Sequence, residues 1–412
     1  MASNTIPVLI IGAGLAGLSL AKVLRRHGIP AVVFESSSSD RTQGYGITIR
    51  QFAYDPLLKE LGRSPEELKR ASATDKEAGG TGMIDSSLRD VYTGKILVKA
   101  PPARKGAEEQ EFYRANRNAL RSWLGEGCDI HFNHKLVSFK MDKEAGTVTA
   151  EFQNGKSAAG CLLVAADGIH STVRKQLLPN IQPRILPAIV YNGERQMTRS
   201  TFESVLGPFM ENTNVIIGAG DNSNFAITLT NLTPTVVDLN WSFTRPVKDD
   251  NDPLYDSVGG SGDERKVPPE LLDELDNSSI SEPYSTIISS ESIKAHGLFH
   301  WIMRSLRVPR KDLDQLAEEH VVFVGDAVHG MPIFAREGGN HALVDAVELG
   351  QSLSTVLPGS GEDDIAACLR SFYDRAFPRW QKGIEDSEQR LHSLHRPIKF
   401  WRDVAANKPS TS

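Results

Sequence analysis

Positions 7–11 are unbroken apolar, and the chain continues Ile11-Gly12-Ala13-Gly14-Leu15-Ala16-Gly17. A short apolar run bounded by turn residues predicts a strand buried on both faces. Leu18, Ala21 and Leu24 then recur at helical spacing and predict a helix over residues 15–27, stopped by Gly28. Residues 30–34 repeat the buried-strand pattern, and Glu35 closes it eighteen residues past Gly17. Strand, glycine turn, helix, strand and acid is the order of a dinucleotide pocket. Gly12 allows the tight turn, Gly14 lets backbone amides approach a pyrophosphate, and Gly17 lets the helix pack close to the strand. The uncapped helix start favours negative charge. Glu35 suits a ribose diol and disfavours a 2′-phosphate, so NADP is not expected in this pocket. The pattern does not separate NAD from FAD.

The same rhythm returns twice. Residues 161–165 are apolar and lead into Asp167-Gly168, with Ser171 or Thr172 as a helix cap, and residues 321–324 lead into Gly325-Asp326. Glu337-Gly338-Gly339-Asn340-His341 then precedes a helix expected over residues 342–357 and stopped by Pro358-Gly359. A second helix start this far along the chain suggests one long ligand contacted at both ends. Between these units, residues 214–245 alternate as antiparallel strands. Gly218 and Gly220 run into Asp221-Asn222-Ser223-Asn224, which is hairpin chemistry and no second nucleotide loop. Residues 247–283 are polar surface chain with one short helix at 269–275. From residue 363 the tail is helical, and Trp380, Leu391, Leu394, Phe400 and Trp401 are expected to pack on the body. The fold class expected is α/β: a Rossmann-like domain interrupted by an antiparallel-sheet substrate domain, with C-terminal helices. Residues 1–80, 111–180 and 301–357 form the first, 81–110 and 181–300 the second, and 358–412 the helical segment.

Composition narrows the function. The 412 residues allow two or three domains, and 24% charged with 40% hydrophobic residues is ordinary for a globular protein. A net charge of −6 without a basic block argues against nucleic acid. No apolar stretch spans a bilayer, and the first seven residues lack a signal-peptide pattern, so a cytoplasmic location is expected. Cys128, Cys161 and Cys368 are isolated and suit a reducing compartment. His296 and His300, four apart, lack the acidic partner of a metalloprotease helix, and no metal site is expected.

The glycine motif with its acid, then Arg117-Asn118-Ala119-Leu120 reaching Leu124, then Ala165-Ala166-Asp167-Gly168, then Gly325-Asp326, resembles the single-component flavin-dependent monooxygenases. These include the para-hydroxybenzoate and salicylate hydroxylases, kynurenine monooxygenase and the tetracycline-inactivating hydroxylases. The resemblance covers nearly the whole chain. It implies FAD as cofactor, with Gly12, Ala13, Gly14, Leu15 and Ala16 at its pyrophosphate, Glu35 at the adenosine ribose and the backbone of Val137 beside the adenine. Arg117 would contact the phosphates, Asp167 would support the pyrophosphate region, and Asp326 would bind the ribityl chain. Gly44-Tyr45-Gly46 would run beside the flavin ring, and the amides of Gly338, Gly339, Asn340 and His341 would face its N1–C2=O edge. It further implies NAD(P)H as a transient co-substrate and a C4a-hydroperoxide that passes one oxygen atom from O2 to a small, fairly apolar organic substrate. No catalytic side chain is singled out.

Two positions depart from that family's pattern. Ile333 follows Pro332 where a second proline is usual, and Arg336 stands where glycine is common. A positive φ is costly for arginine. The ordinary reading turns Arg336 to solvent; the sharper one has it support the reduced-flavin charge or an acidic substrate. Arg195, Tyr191, Phe225, Trp241 and Phe243 could line the substrate pocket, though core packing is the commoner fate of aromatics. The residues also leave open a flavin oxidase or dehydrogenase, a flavin redox sensor, and a nicotinamide-only dehydrogenase, which Asp326 disfavours. Oligomeric state is not encoded in these patterns.

Overall fold

The structure, a computed structural model, describes residues 6–40, 45–85, 87–99, 111–142, 144–255, 267–357 and 362–407. Its centre is a five-stranded parallel sheet in the order Val321–Phe323, Leu162–Ala165, Val8–Ile11, Ala31–Phe34, Asp129–His131. The four apolar runs read from sequence are therefore neighbours in space. Val8–Ile11 is buried along its whole length because parallel strands are covered on both faces.

The helix Leu15–Arg26 follows the first strand and packs on the helix Gly338–Ser354. Gly350 makes that approach close: a Cβ there would lie 2.4 Å from the Val23 side chain. The second helix begins four residues before the expected 342, so the glycine pair forms its first turn. Pro358 and Gly359, expected to stop it, lie outside the described residues.

Two smaller units attach to this layer. Leu136–Asp142, Thr147–Phe152 and Ser157–Gly160 form an antiparallel sheet, and Gly46–Arg50 pairs with Phe112–Asn116 as a two-stranded ribbon. Beyond the ribbon stands a seven-stranded sheet: Phe299–His300, Ala188–Thr198, Val236–Pro246, Ser223–Leu232, Val215–Gly220, Leu88–Asp90, Ile96–Val98. All its pairings are antiparallel except Val215–Gly220 with Leu88–Asp90. Asn222, at φ 51°, turns the hairpin read from its sequence. Tyr191, Phe225, Trp241 and Phe243 fill this sheet's own core, and Gly193 leaves room for the Trp241 ring.

The helix Glu362–Leu394 spans both units. Its N-terminal part, as far as Trp380, puts Leu369, Phe372, Tyr373 and Trp380 into the core of the parallel sheet. Its end puts Leu391 into a small third core with Leu186, Val190, Met303 and Phe334. Phe400 does not pack on the body as expected; its ring lies against Trp401 and the Arg396 guanidinium and stays exposed.

His395 fastens the end of that helix to the antiparallel sheet. Its Nδ1–H donates to Leu391 O at 2.6 Å, so Nε2 accepts from Thr244 Oγ1–H at 2.7 Å. Burial disfavours the charged ring and pushes its pKa down to about 4. Unfolding restores a value near 6.5, so the neutral contact is intact above about pH 6.5 and lost as pH falls toward 4, costing up to about 3 kcal/mol. Replacing His395 with Gln is expected to flatten the pH dependence of urea unfolding across that window. An unchanged slope between pH 6.5 and 4 would show that His395 is not the titrating group.

Candidate functional site

The first strand ends in a turn that only glycine fits. Gly12 has φ 109°, and a Cβ on it would lie 2.4 Å from Ala166 O. Gly14 caps the first helix without a side-chain bond, and a Cβ on it would meet nothing within 4 Å. The helix start therefore opens on space with the amides of Leu15 and Ala16 uncapped and no acid in the first turn. Ala13 N donates instead to Glu35 Oε2 at 2.9 Å, while Glu35 Oε1 accepts from Ser37 N at 2.8 Å. Burial alone would raise the Glu35 carboxyl, but the amides of Ser37 and Ala13 hold it below the usual range. One carboxylate thus joins the glycine turn to the end of the second strand.

The opposite wall is the Gly325-Asp326 turn. Gly325 has φ 61°, and a Cβ on it would sit 3.1 Å from Ala16 Cβ. Asp326 is open to the groove yet surrounded by protein, which raises its carboxyl pKa; His329 and Arg117 oppose the rise. The second helix starts on the same groove. A Cβ on Gly338 would lie 3.6 Å from Asp326 Oδ1, and one on Gly339 would lie 3.1 Å from Leu15 Cδ1. Glu337 caps this helix without a side-chain bond. Of the four amides expected to face the groove, His341 is a correction: its N–H donates to Glu337 O at 3.0 Å. Because the helix begins at Gly338, its fourth amide is already in the helical ladder.

Arg117 opens the helix Arg117–Gly125, and its guanidinium lies 5.2 Å from the Tyr45 ring. Gly46 begins the ribbon, where a Cβ would lie 2.7 Å from Arg114 Nε; Gly44 lies outside the described residues. Asp167 Oδ2 accepts from Thr172 N at 2.6 Å and so helps cap the helix Thr172–Leu177 alongside Ser171, while its Oδ1 is buried without a partner. Burial raises the Asp167 carboxyl against these bonds. Val137 stands at a register irregularity of its strand with its side chain exposed.

Other sequence candidates fall elsewhere. Arg195 bonds Ser292 Oγ at 2.6 Å and His296 Nδ1 at 3.1 Å; His300 stacks on Tyr191. No cluster of metal-ligating side chains occurs among the described residues.

Sequence reasoning missed the side chains beneath the groove. Arg174, wholly buried, donates to Ala327 O at 2.7 Å and Ile169 O at 2.5 Å, tying the Asp167-Gly168 loop to the Gly325-Asp326 turn. Asp345 accepts from Gly325 N at 2.9 Å, His329 Nε2 at 2.6 Å, Trp380 Nε1 at 2.7 Å and Arg379 Nη2 at 3.1 Å. Burial alone would raise its carboxyl; His329, Arg379 and the Gly325 amide hold it well below the usual carboxylate range. Asn340 Oδ1 accepts from Arg50 N at 2.8 Å, and its Nδ2 donates to Thr48 O at 3.0 Å and Arg336 O at 3.1 Å. An acid inside an otherwise apolar helix face was the available signal for Asp345.

Arg336 takes the left-handed conformation, φ 59°, that sequence counted against it, and it is partly buried among other arginines, not turned to solvent.

The sequence matches the family described as FAD binding domain over residues 5–183 and 273–377. It is 42% identical over 412 residues to the FAD-dependent monooxygenase adaC of Aspergillus niger, covering 98% of this chain and 97% of that protein. It is 42% identical over 406 residues to the FAD-dependent monooxygenase nscC of Trichophyton tonsurans, covering 97% of each. Among solved structures, 2,6-dihydroxypyridine-3-hydroxylase from Arthrobacter nicotinovorans superposes with a TM-score of 0.73 at 19% identity, over 96% of this chain and 94% of that one. Klebsiella pneumoniae HpxO complexed with FAD and uric acid gives 0.72 at 19%, over 98% and 93%.

Asp345→Asn sets a neutral partner against the buried His329, while the partly exposed Arg379 keeps Glu348, and is expected to cost about 3 kcal/mol at pH 7. Urea unfolding measures this. The Gly325-Asp326 turn loosens with it, so FAD affinity should fall in parallel; a variant with unaltered stability and affinity would refute the role assigned to Asp345.

Proposed function

The chain belongs to the FAD-dependent monooxygenase family, and from that premise we propose that it uses NAD(P)H and O2 to insert one oxygen atom into a small, fairly apolar organic molecule. The observation that carries this reading is the meeting of two uncapped helix starts across Asp326 in one groove. Each presents free amides, and a single extended dinucleotide satisfies both. The open space over Gly14, the unpartnered Asp167 Oδ1 and the groove-facing Asp326 fit such a ligand.

In this reading the amides from Gly14 to Ala16 hold the FAD pyrophosphate, with Arg117 on its phosphates and Asp167 supporting the loop beneath, while the Ala13 amide, expected there too, is taken by Glu35 Oε2. Glu35 faces the adenosine ribose and the Val137 backbone the adenine. Asp326 takes the ribityl hydroxyls. Gly46 lies along the ring, and the Gly338, Gly339 and Asn340 amides face its pyrimidine edge, where a helix start favours the negative charge of the reduced state. Bound FAD supplies the hydride acceptance and oxygen activation. The protein's part is to orient the ring, hold the substrate over it and keep water away.

The test is direct. The purified enzyme is expected to carry flavin absorbance and to oxidise NAD(P)H faster when substrate is added. Product formed under ¹⁸O2 should gain one labelled atom. Unlabelled product with stoichiometric H2O2 would identify an oxidase instead. Glu35→Gln should weaken FAD binding by roughly ten- to a hundredfold, the range of one charge-assisted hydrogen-bond site, readable by flavin fluorescence.

A further inference from the structure

His329 stands directly behind the wall of the groove. It closes the turn that carries Asp326: His329 N donates to Gly325 O at 3.0 Å, so the two side chains are three residues apart on one tight coil. The imidazole is 1% exposed. Its Nε2–H donates to Asp345 Oδ2 at 2.6 Å, while its Nδ1 is buried without a partner. A bare buried nitrogen forfeits a hydrogen bond, and such a group calls for a functional explanation.

A second imidazole links that ring to the surface. The ring centre of His341, in the first turn of the wall helix, lies 6.1 Å from that of His329. His341 also lines a cavity of about 430 Å³ with Phe52, Pro378 and Gly383, which opens beside the exposed side chains of Lys382 and Asp386. Gly383 leaves His341 Nε2 its room, since a Cβ there would lie 2.7 Å from that atom. His341 Nδ1 accepts from Arg379 Nη1 at 3.3 Å, a longer bond than those Arg379 makes to Asp345 at 3.1 Å and Glu348 at 2.6 Å.

The charges around the two rings are already engaged. Asp345 and Asp326 face His329; Arg379 answers Asp345, and Arg117 acts on Asp326 across the groove. Arg174 is tied to Ala327 O and faces Asp167. Around His341, Glu337 lies at 3.6 Å and is itself 3.4 Å from Arg50, with Arg379, Lys382 and Asp386 at the cavity. A negative charge newly placed in the groove therefore finds its neighbouring cations occupied. A buried imidazole with one bare nitrogen can answer that charge by taking a proton.

We propose that His329 is the proton-holding residue of the reaction, receiving one proton at Nδ1 from the surface cavity by way of His341. This rests on the monooxygenase reading and adds an acid–base group to it. Hydride transfer from NAD(P)H brings two electrons and one proton and leaves a negative charge in the groove. The whole reaction turns NAD(P)H, O2, substrate and one solvent proton into NAD(P)+, oxygenated substrate and water. His329 holds that solvent proton while the negative charge is present and yields it as water forms. His341 exchanges with solvent at Nε2 and passes the proton inward from Nδ1 through a bridging water when the long bond from Arg379 opens.

The test uses FAD-loaded enzyme without substrate or O2. Its midpoint potential, followed by spectroelectrochemistry from about pH 5 to 8, should show a stretch with the slope of two protons per two electrons. The reduced flavin should keep the absorbance of its anion throughout. His329→Gln still offers an N–H to Asp345 but takes no proton, so its slope should halve to one proton per two electrons. His341→Phe should keep the two-proton slope, an equilibrium property, yet slow the proton uptake seen by a pH indicator after rapid reduction at least tenfold. If His329→Gln fails to fold, the ¹⁵N shifts of the His329 ring in the unaltered enzyme carry the test, since they must change to those of imidazolium on reduction. A one-proton slope in the unaltered enzyme, a two-proton slope kept in His329→Gln, or a neutral reduced flavin would overturn the proposal and leave the monooxygenase reading standing. Unslowed uptake in His341→Phe would overturn the route. A protein that takes up no FAD would defeat both readings.

Discussion

One buried carboxylate holds the groove together. Asp345 lies on the inner face of the helix whose start forms one wall, and it receives the amide of Gly325, the first residue of the other wall. It also receives Trp380 and Arg379 from the long C-terminal helix and His329 from the loop between them. Three segments, the 325–329 turn, the wall helix and the long C-terminal helix, therefore meet at two oxygens. A hydrophobic contact could bring these segments together, but it would not fix their rotation, because dispersion and burial are not directional. The proposed binding mode needs that rotation, since its contacts are backbone amides whose direction is set by the helix axes.

The parallel-sheet unit was legible because its signals are local. Glycine at Gly12, Gly14 and Gly17, the strand before them and Glu35 after them each leave a mark within a few dozen residues. The hairpin at Asn222 and the helix Pro269–Asp276 were legible for the same reason. The boundary of the second wall helix was not. Gly338 and Gly339 look like loop residues by propensity, yet tertiary contact with Leu15 and Asp326 makes them the first helical turn. Arg174 and Asp345 escaped notice because a charge on a short amphipathic segment normally faces water. Only the packed structure shows that each is buried, with both Asp345 oxygens and both terminal nitrogens of Arg174 hydrogen-bonded.

The distribution of charge follows from how each part binds. In the proposed arrangement the pyrophosphate end uses amides, helix starts and Arg117, which lets a protein with net charge −6 hold a dinucleotide without a basic surface. Arg114 lies instead where the ribbon meets the antiparallel sheet, the part of the fold in which single-sequence patterns carry least information about a ligand, since its aromatics serve the sheet's own core.

Arg336 carries a conformational cost that its position in the turn imposes. Its turn requires a left-handed residue, which glycine adopts freely and arginine adopts at a cost on the order of 1–3 kcal/mol. The bond from Asn340 Nδ2 to Arg336 O offsets part of that cost but would serve glycine equally well. Its side chain is partly buried, and among the described residues no carboxylate pairs with it, so the cost of the turn is met by the backbone bond and by packing.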